Sequence, residues 1–190
     1  MGLSVTLFLL LLALVSLTRL VELGISRRHQ QEMARRGVQK RADPRYVWMV
    51  ALHAGVFAGA AVEVVWLRRP FFPVLSVPAL ALLALGTGLR WWAIRTLGRH
   101  WNVEVMDSAP LGVVEDGPFR WVRHPNYLGV FIEMAALPLV HTAWMTALAS
   151  AIGNGLVLRN RLRIEEPMLE THAQYRVAMA GKPRFLPRIF

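Results

Sequence analysis

Apolar residues fill positions 3–23, interrupted by Arg19 and Glu22 near the end of the run. At a rise of ~1.5 Å per residue, about 20 residues cross a bilayer core. The pattern therefore predicts a first membrane span. A second run covers 46–67, with His53 and Glu63 as its polar titratable groups. A third covers 70–89 without a charge and continues helically through Arg90, Trp91, Trp92 and Arg95. Between Arg123 and Arg159 the charged residue is Glu133, with Pro138, His141 and Thr142 near the middle. That length is too great for one span and short for two. It predicts a helical hairpin over 127–140 and 143–158. The expected fold is all-α: one integral membrane domain over 1–190, a bundle of about five transmembrane helices ending in this hairpin.

Composition and charge sharpen this picture. Over half the residues are hydrophobic, 55%, more than a small soluble domain can hide. Lys and Arg number 22 against 12 Asp and Glu, a net charge of +10, and all the basic residues but Lys40 and Lys182 are Arg. Such an excess suits nucleic acid or an anionic membrane surface. The apolar runs select the membrane, and no nucleic-acid motif is present. Seven basic residues lie in 24–45 and seven in 159–190. By the positive-inside rule, the first connecting loop, the 99–126 loop and the tail are expected in the cytoplasm, with the N-terminus outside. The chain has no cysteine, which excludes disulfides and thiolate chemistry. The six histidines show no His-x-x-x-His spacing, so no metal site is expected.

The polar segments 98–126 and 159–190 hold most of the candidate chemistry, on one predicted face. In the first, Gly117-Pro118 marks a turn and His124-Pro125 ends any preceding helix. Pro125 can open the next one. The second runs Arg159-Asn160-Arg161-Leu162-Arg163-Ile164-Glu165-Glu166-Pro167 and prolongs the last helix out of the membrane. Each cluster has a plain reading, as snorkelling Arg and Trp or as surface ion pairs of small worth. Its competitor is a site in which an acidic pair holds a cofactor's polar groups. Elsewhere, Gly86-Thr87-Gly88 reads as helix packing, and Gly153 and Gly155 would allow close approach to a neighbour. Glu63 is near enough to a span end to reach the interface, and Arg90, Arg95 and Arg99 are expected to meet headgroups. His53, inside a span, is a functional candidate by its setting.

Together these clusters resemble the isoprenylcysteine carboxyl methyltransferase family and its bacterial membrane relatives. The resemblance rests on Gly117-Pro118-Phe119, Arg123-His124-Pro125-Asn126-Tyr127-Leu128-Gly129 and Arg163-Ile164-Glu165-Glu166. Tyr175 and the closing Pro183-Arg184-Phe185-Leu186-Pro187 complete it. It implies an S-adenosylmethionine-dependent methyltransferase of a bacterial inner membrane, with its active site facing the cytoplasm. A lipophilic small-molecule or lipid acceptor would enter from the bilayer. The resemblance places Leu111, Gly112, Val113, Val114, Phe119, His124, Pro125, Asn126 and Tyr127 at the cofactor, with Glu165 or Glu166 holding its polar end. Phe119 stands where relatives usually carry Tyr. His124, Arg163 and Glu166 are the implied catalytic residues, and an Arg among Arg159, Arg161 and Arg163 would face the acceptor, with Arg159 and Arg163 taken as the expected contacts. O-methylation of an isoprenylcysteine-type carboxyl or of a phenolic, polyketide-like lipid is the expected reaction. A non-catalytic membrane scaffold and an NADPH-dependent membrane reductase are the competing classes.

Overall fold

The structure, a computed structural model, describes residues 2–187. Among the described residues six α-helices follow one another: α1 (Leu3–Arg35), α2 (Tyr46–Trp66), α3 (Pro73–Leu97), α4 (Pro125–Leu139), α5 (Trp144–Leu169) and α6 (Ala173–Ala178). Short 3-10 turns punctuate the connection from α3 to α4. The first three helices are each long and apolar enough to cross a membrane. Leu7, Leu10, Leu14 and Leu17 of α1 stay exposed on the bundle's exterior, as lipid-facing side chains do. The protein is an all-helical integral membrane protein.

α1 is longer than the sequence pattern predicts. Residues 25–36 are rich in Arg, Gln, Glu, Met and Ala, which are good helix formers, and contain no proline. Glu32 and Arg36 pair one turn apart at 2.8 Å. The helix stops at Gly37, whose φ of 78° suits glycine. A segment expected as a basic loop is thus largely a helical extension beyond the span. Residues 39–41 then pair with 105–107, Arg41 N donating to Val105 O at 2.9 Å and Asp107 N to Gln39 O at 3.0 Å.

α4 and α5 form the expected hairpin, with Pro125 at the first helical position and the turn at His141-Thr142. Thr142 adopts φ 56° and its hydroxyl donates to Pro70 O at 2.5 Å. Glu63 lies in the last turn of α2 and pairs with Arg69 of the following loop at 2.8 Å. Its carboxylate turns inward and accepts from Thr146 N at 2.8 Å, Thr146 Oγ1 at 2.7 Å and Met145 N at 3.2 Å. A carboxylate there satisfies the free N–H groups of α5 and complements its dipole.

At this hairpin-turn end Phe8, Leu12, Ala60, Val64 and Leu137 make a common core. α3 and α4 approach most closely at glycines. A Cβ on Gly129 would stand 2.9 Å from Gly86 O, and one on Gly86 would stand 3.1 Å from Gly129 O. The packing role read for Gly86 and Gly153 holds, since Gly153 lies against Leu52. A Cβ on Gly155 would meet nothing.

Arg90 overturns its expected role. It is 5% exposed and both its Nη groups donate to Glu22 of α1. Arg19 reaches Glu22 at 3.2 Å and also pairs with Glu133, while Thr87 Oγ1 donates to Glu133 at 2.6 Å. Arg90 faces the bundle because Gly86, one turn earlier, draws that side of α3 against α4. Two guanidinium and two carboxylate groups thereby join α1, α3 and α4 within the membrane-spanning part.

Candidate active site

At the opposite, loop end of the bundle the two sequence clusters meet. Gly117, with φ 55°, turns the chain into a 3-10 turn carrying Pro118 and Phe119. Phe119 packs with Ala93, Tyr175 and Met179, so its ring is buried and needs no hydroxyl partner. His124 precedes α4 in a non-helical conformation. Its Nε2 lies 3.2 Å from Glu166 Oε1, and its ring stacks on Tyr127 at 5.5 Å.

Glu166 gathers the C-terminal tail. Arg184 donates to it from Nε at 2.9 Å and from Nη2 at 2.6 Å. The backbone completes the strap: Arg123 N donates to Pro183 O and His124 N to Arg184 O, both at 2.9 Å. The hydrogen bond from His124, with those from Arg184, holds the Glu166 carboxyl down to about 2. Burial pushes the Tyr175 phenol up to about 12, so it stays neutral at any physiological pH.

The neighbouring glutamate has a different surrounding. Glu165 accepts the Tyr127 hydroxyl, and Arg161 Nε donates to the same hydroxyl oxygen at 3.2 Å. Arg161 is 6% exposed. It makes no salt bridge among the described residues, and its Nη1 lies 3.2 Å from Met49 Sδ.

Two cavities flank this trio. A narrow cleft of about 140 Å³ opens at the loop end, lined by Gly112, Val113, Val114, Phe119, His124 and Glu165 among others. A larger chamber of about 540 Å³ runs into the spanning part between α1, α2, α4 and α5. Trp101, Asn102, Asn126, Tyr127 and Arg161 line both. At this junction Asn102 Oδ1, Asn126 Oδ1 and Trp101 Nε1 are buried without a hydrogen-bond partner. Buried polar atoms are normally paired, so these three mark where a ligand's polar groups fit. Leu20 and Val50, which line the chamber from α1 and α2, are 64% and 43% exposed. The chamber is therefore open sideways, toward lipid.

The fold has relatives. Residues 79–171 match the isoprenylcysteine carboxyl methyltransferase (ICMT) family. The chain is also similar to the solved structure of the eukaryotic intramembrane Ras methyltransferase ICMT, with a TM-score of 0.57 and 25% identity. Over residues 79–171 the chain is isoprenylcysteine carboxyl methyltransferase-like in sequence and in fold. The structural match covers 78% of this chain and 54% of that one. The protein-S-isoprenylcysteine O-methyltransferase of Tribolium castaneum is 31% identical over 97 residues, 50% of this chain and 34% of that enzyme. The uncharacterized protein YpbQ of Bacillus subtilis is 28% identical over 167 residues, 87% of this chain and 98% of YpbQ. This chain thus spans about half the length of its eukaryotic structural relative and nearly all of YpbQ.

Within this family frame the site residues read from sequence separate into two groups. Gly112, Val113, Val114, Phe119, His124, Asn126, Tyr127 and Glu165 all line the cleft. Leu111 instead packs with Met33, Val38 and Met106, beneath the extension of α1. Pro125 is fully buried as the first residue of α4, and Glu166 faces His124 and the tail. Arg159 and Arg163 are exposed and line neither cavity. They stand four apart on one helical face, whereas Arg161 and Glu165 share the inward face. The position facing the chamber belongs to Arg161. Sequence reasoning assigned no site role to Trp101 and Asn102, or to Met49 of α2 and Arg19 and Glu22 of α1. Arg19 and Glu22 carried one signal: charges inside an apolar run, which lipid alone would not tolerate.

Proposed function

We propose that the protein transfers a methyl group from S-adenosylmethionine to an oxygen of a lipophilic acceptor. The observation that carries this reading is the pair of cavities, one open at the loop end and one open to lipid, sharing Asn126, Tyr127 and Arg161. S-adenosylmethionine supplies an electrophilic methyl group on a sulfonium. Glu165 is suited to the cationic end of that cofactor. Asn102 and Asn126 offer unpaired carbonyl oxygens to its amine or hydroxyl donors, and Phe119 and Tyr175 give the cleft apolar walls. The cleft's free volume, about 140 Å³, is below the ~300–1,000 Å³ usual for ligand pockets. The 98–116 loop that roofs it must therefore move outward to admit a cofactor. The roof is held by the side-chain pairs Arg99–Glu32, Lys40–Glu104 and His172–Asp107 and by the backbone hydrogen bonds of Arg41 with Val105 and of Asp107 with Gln39.

On the chamber side the chain's contribution is alignment and exclusion of water. Arg161, a buried cation without a carboxylate in contact, favours an acceptor oxygen that is already anionic. A carboxylate meets that condition without a base. A phenol, with an ordinary pKa of about 10, must first lose its proton, and the Tyr127–Glu165 pair is the acceptor within reach of the junction. The carboxyl reading is therefore preferred. Access is from the bilayer, through the open side between α1 and α2, with the loop end facing the cytoplasm.

The test is a calorimetric titration of S-adenosylmethionine into the full-length protein in mild detergent, beside Glu165→Gln, with NADPH as the control ligand. Saturable binding by the wild type, weakened at least tenfold in the variant and absent for NADPH, is expected. No binding by a folded sample would leave a non-catalytic scaffold as the better reading, and binding of NADPH alone would leave a reductase.

A further inference from the structure

The chamber is large enough for an acceptor's chain, yet one part of its wall is charged. Arg19 and Glu22 of α1 and Arg90 of α3 line it, and they belong to the buried network that also holds Glu133. The network's Nη groups and carboxylates are engaged with one another. The Nε atoms of both Arg19 and Arg90 are buried without a partner. From α2, His53 lines the same chamber, and its Nε2 is likewise buried without a partner. Arg90 itself is 5% exposed.

A plain hydrocarbon chain laid along this wall would leave all three nitrogens unpaired, which buried polar groups seldom are. The network holds two guanidinium and two carboxylate groups, so its formal charges cancel. A ligand group bringing a net charge would upset that balance in a low-dielectric setting. A neutral oxygen would not. It can accept from a guanidinium N–H, and a hydroxyl can also bond the His53 nitrogen. His53 lies one helical turn from Met49, which touches Arg161, and Asn154 on the chamber's α5 wall lies two turns from Arg161. By helical rise His53 therefore stands ~6 Å along α2 from the junction, and Asn154 ~10 Å along α5.

We propose that Arg19, Arg90 and His53 form a second polar subsite. It receives a neutral hydroxyl or carbonyl oxygen carried part-way along the acceptor's chain. The inference rests on the reading of the chamber as the acceptor site. It makes the acceptor an amphiphile oxygenated at two places, one at the junction and one in the chamber, rather than a simple hydrocarbon tail with one polar end. A site built to bond a hydroxyl discriminates strongly against the analogue that lacks it.

The test uses stearic acid and its monohydroxy isomers, with the hydroxyl beside the carboxyl, at mid-chain or near the terminus. Each is titrated into the full-length protein in mild detergent. The isomer with the hydroxyl nearer mid-chain is expected to bind about tenfold or more tightly than stearic acid. That preference should fall to near unity in His53→Leu. Equal affinities across the series, no binding of any member, or a preference that His53→Leu leaves intact would each overturn the proposal. The positional series in the wild type needs no variant, so a misfolded His53→Leu would not remove the test. S-adenosylmethionine titrated into the same samples reads the methyltransferase conclusion separately. Loss of cofactor binding with the chain preference retained would sink that conclusion and leave the polar subsite standing.

Discussion

Arg161 is held by few groups for a buried cation: the Tyr127 hydroxyl at 3.2 Å, the Met49 sulfur at 3.2 Å and the Tyr127 ring face, 5.7 Å from its guanidinium carbon. In the proposed reaction its charge is available to an anionic oxygen arriving from the chamber. Replacing it by Gln keeps a donor and removes the charge. Arg161→Gln is expected to lower methyl transfer on the order of 10²-fold, the scale of losing one electrostatic stabiliser. Cofactor affinity should change by only a few-fold. Methyl transfer from labelled cofactor into a membrane lipid extract, set beside calorimetry, separates the two. Its neighbours Arg159 and Arg163 point away from both cavities, so Arg159→Gln and Arg163→Gln should retain both properties. Glu166 gives a second residue-scale expectation. Its carboxyl is depressed from the ordinary 4.5 to about 2 by His124 and Arg184. A depressed carboxyl stabilises the fold above its unfolded value, and that stabilisation is lost as pH falls through the folded one. The strap of the tail onto residues 123–124 should therefore weaken between about pH 4.5 and about pH 2. Amide exchange at Arg123 and His124 would report it, and Glu166→Gln should remove the pH dependence in that window.

Between elements, the closest fit is α3 against α4. A side chain at Gly129 would press on backbone, Gly86 O at 2.9 Å and Arg90 N at 3.1 Å, and backbone cannot rotate away. Gly129→Ala is expected to destabilise by about 1–3 kcal/mol, the usual cost of overpacking. It should also shift Arg90 in the chamber wall. A thermal melt in detergent checks the first effect. Gly155→Ala, where a Cβ meets nothing, is the control and should be neutral or slightly stabilising. The Gly86 packing role was legible in sequence, because a Gly-Thr-Gly run without a strand has little else to do in an apolar helix. The hairpin and the Pro125 start were legible too, since proline position and apolar run length are local signals. What local pattern could not carry was direction. Arg90, Arg95 and Arg99 look alike along the chain, but Arg90 turns inward where Gly86 and Gly129 bring two helices together. Glu165 and Glu166 are adjacent and chemically equal. A helical step of about 100° sends one to the cleft and the other to the tail. The extension of α1 was hidden by charge, because a basic stretch after a span reads as a loop, whereas helix propensity and contacts with Val103 and Trp101 keep it helical.

Across the whole molecule, the proposed reaction requires the cleft and the lipid chamber to open to different media, and the distribution of basic residues bears on which. Arg27, Arg28, Arg35 and Arg41 lie on the same loop end as the cleft, exposed and outside the ion pairs found among the described residues. Arg159 and Arg163 are exposed at that end as well. The opposite end carries Arg68 and Arg69, the latter tied to Glu63 at 2.8 Å. The positive-inside rule favours the proposed orientation, with the loop end toward the cytoplasm, where a soluble, cationic cofactor could reach the cleft without crossing lipid. The absence of cysteine in the sequence makes this assignable with single introduced thiols. A membrane-impermeant maleimide should label Arg68→Cys on the outside of intact bacterial cells and should label Arg41→Cys only after the membrane is opened. The reverse pattern would place the cleft outside. An S-adenosylmethionine pool confined to the cytoplasm could then not serve it, and the polarity of the site, rather than its geometry, would exclude the proposed reaction.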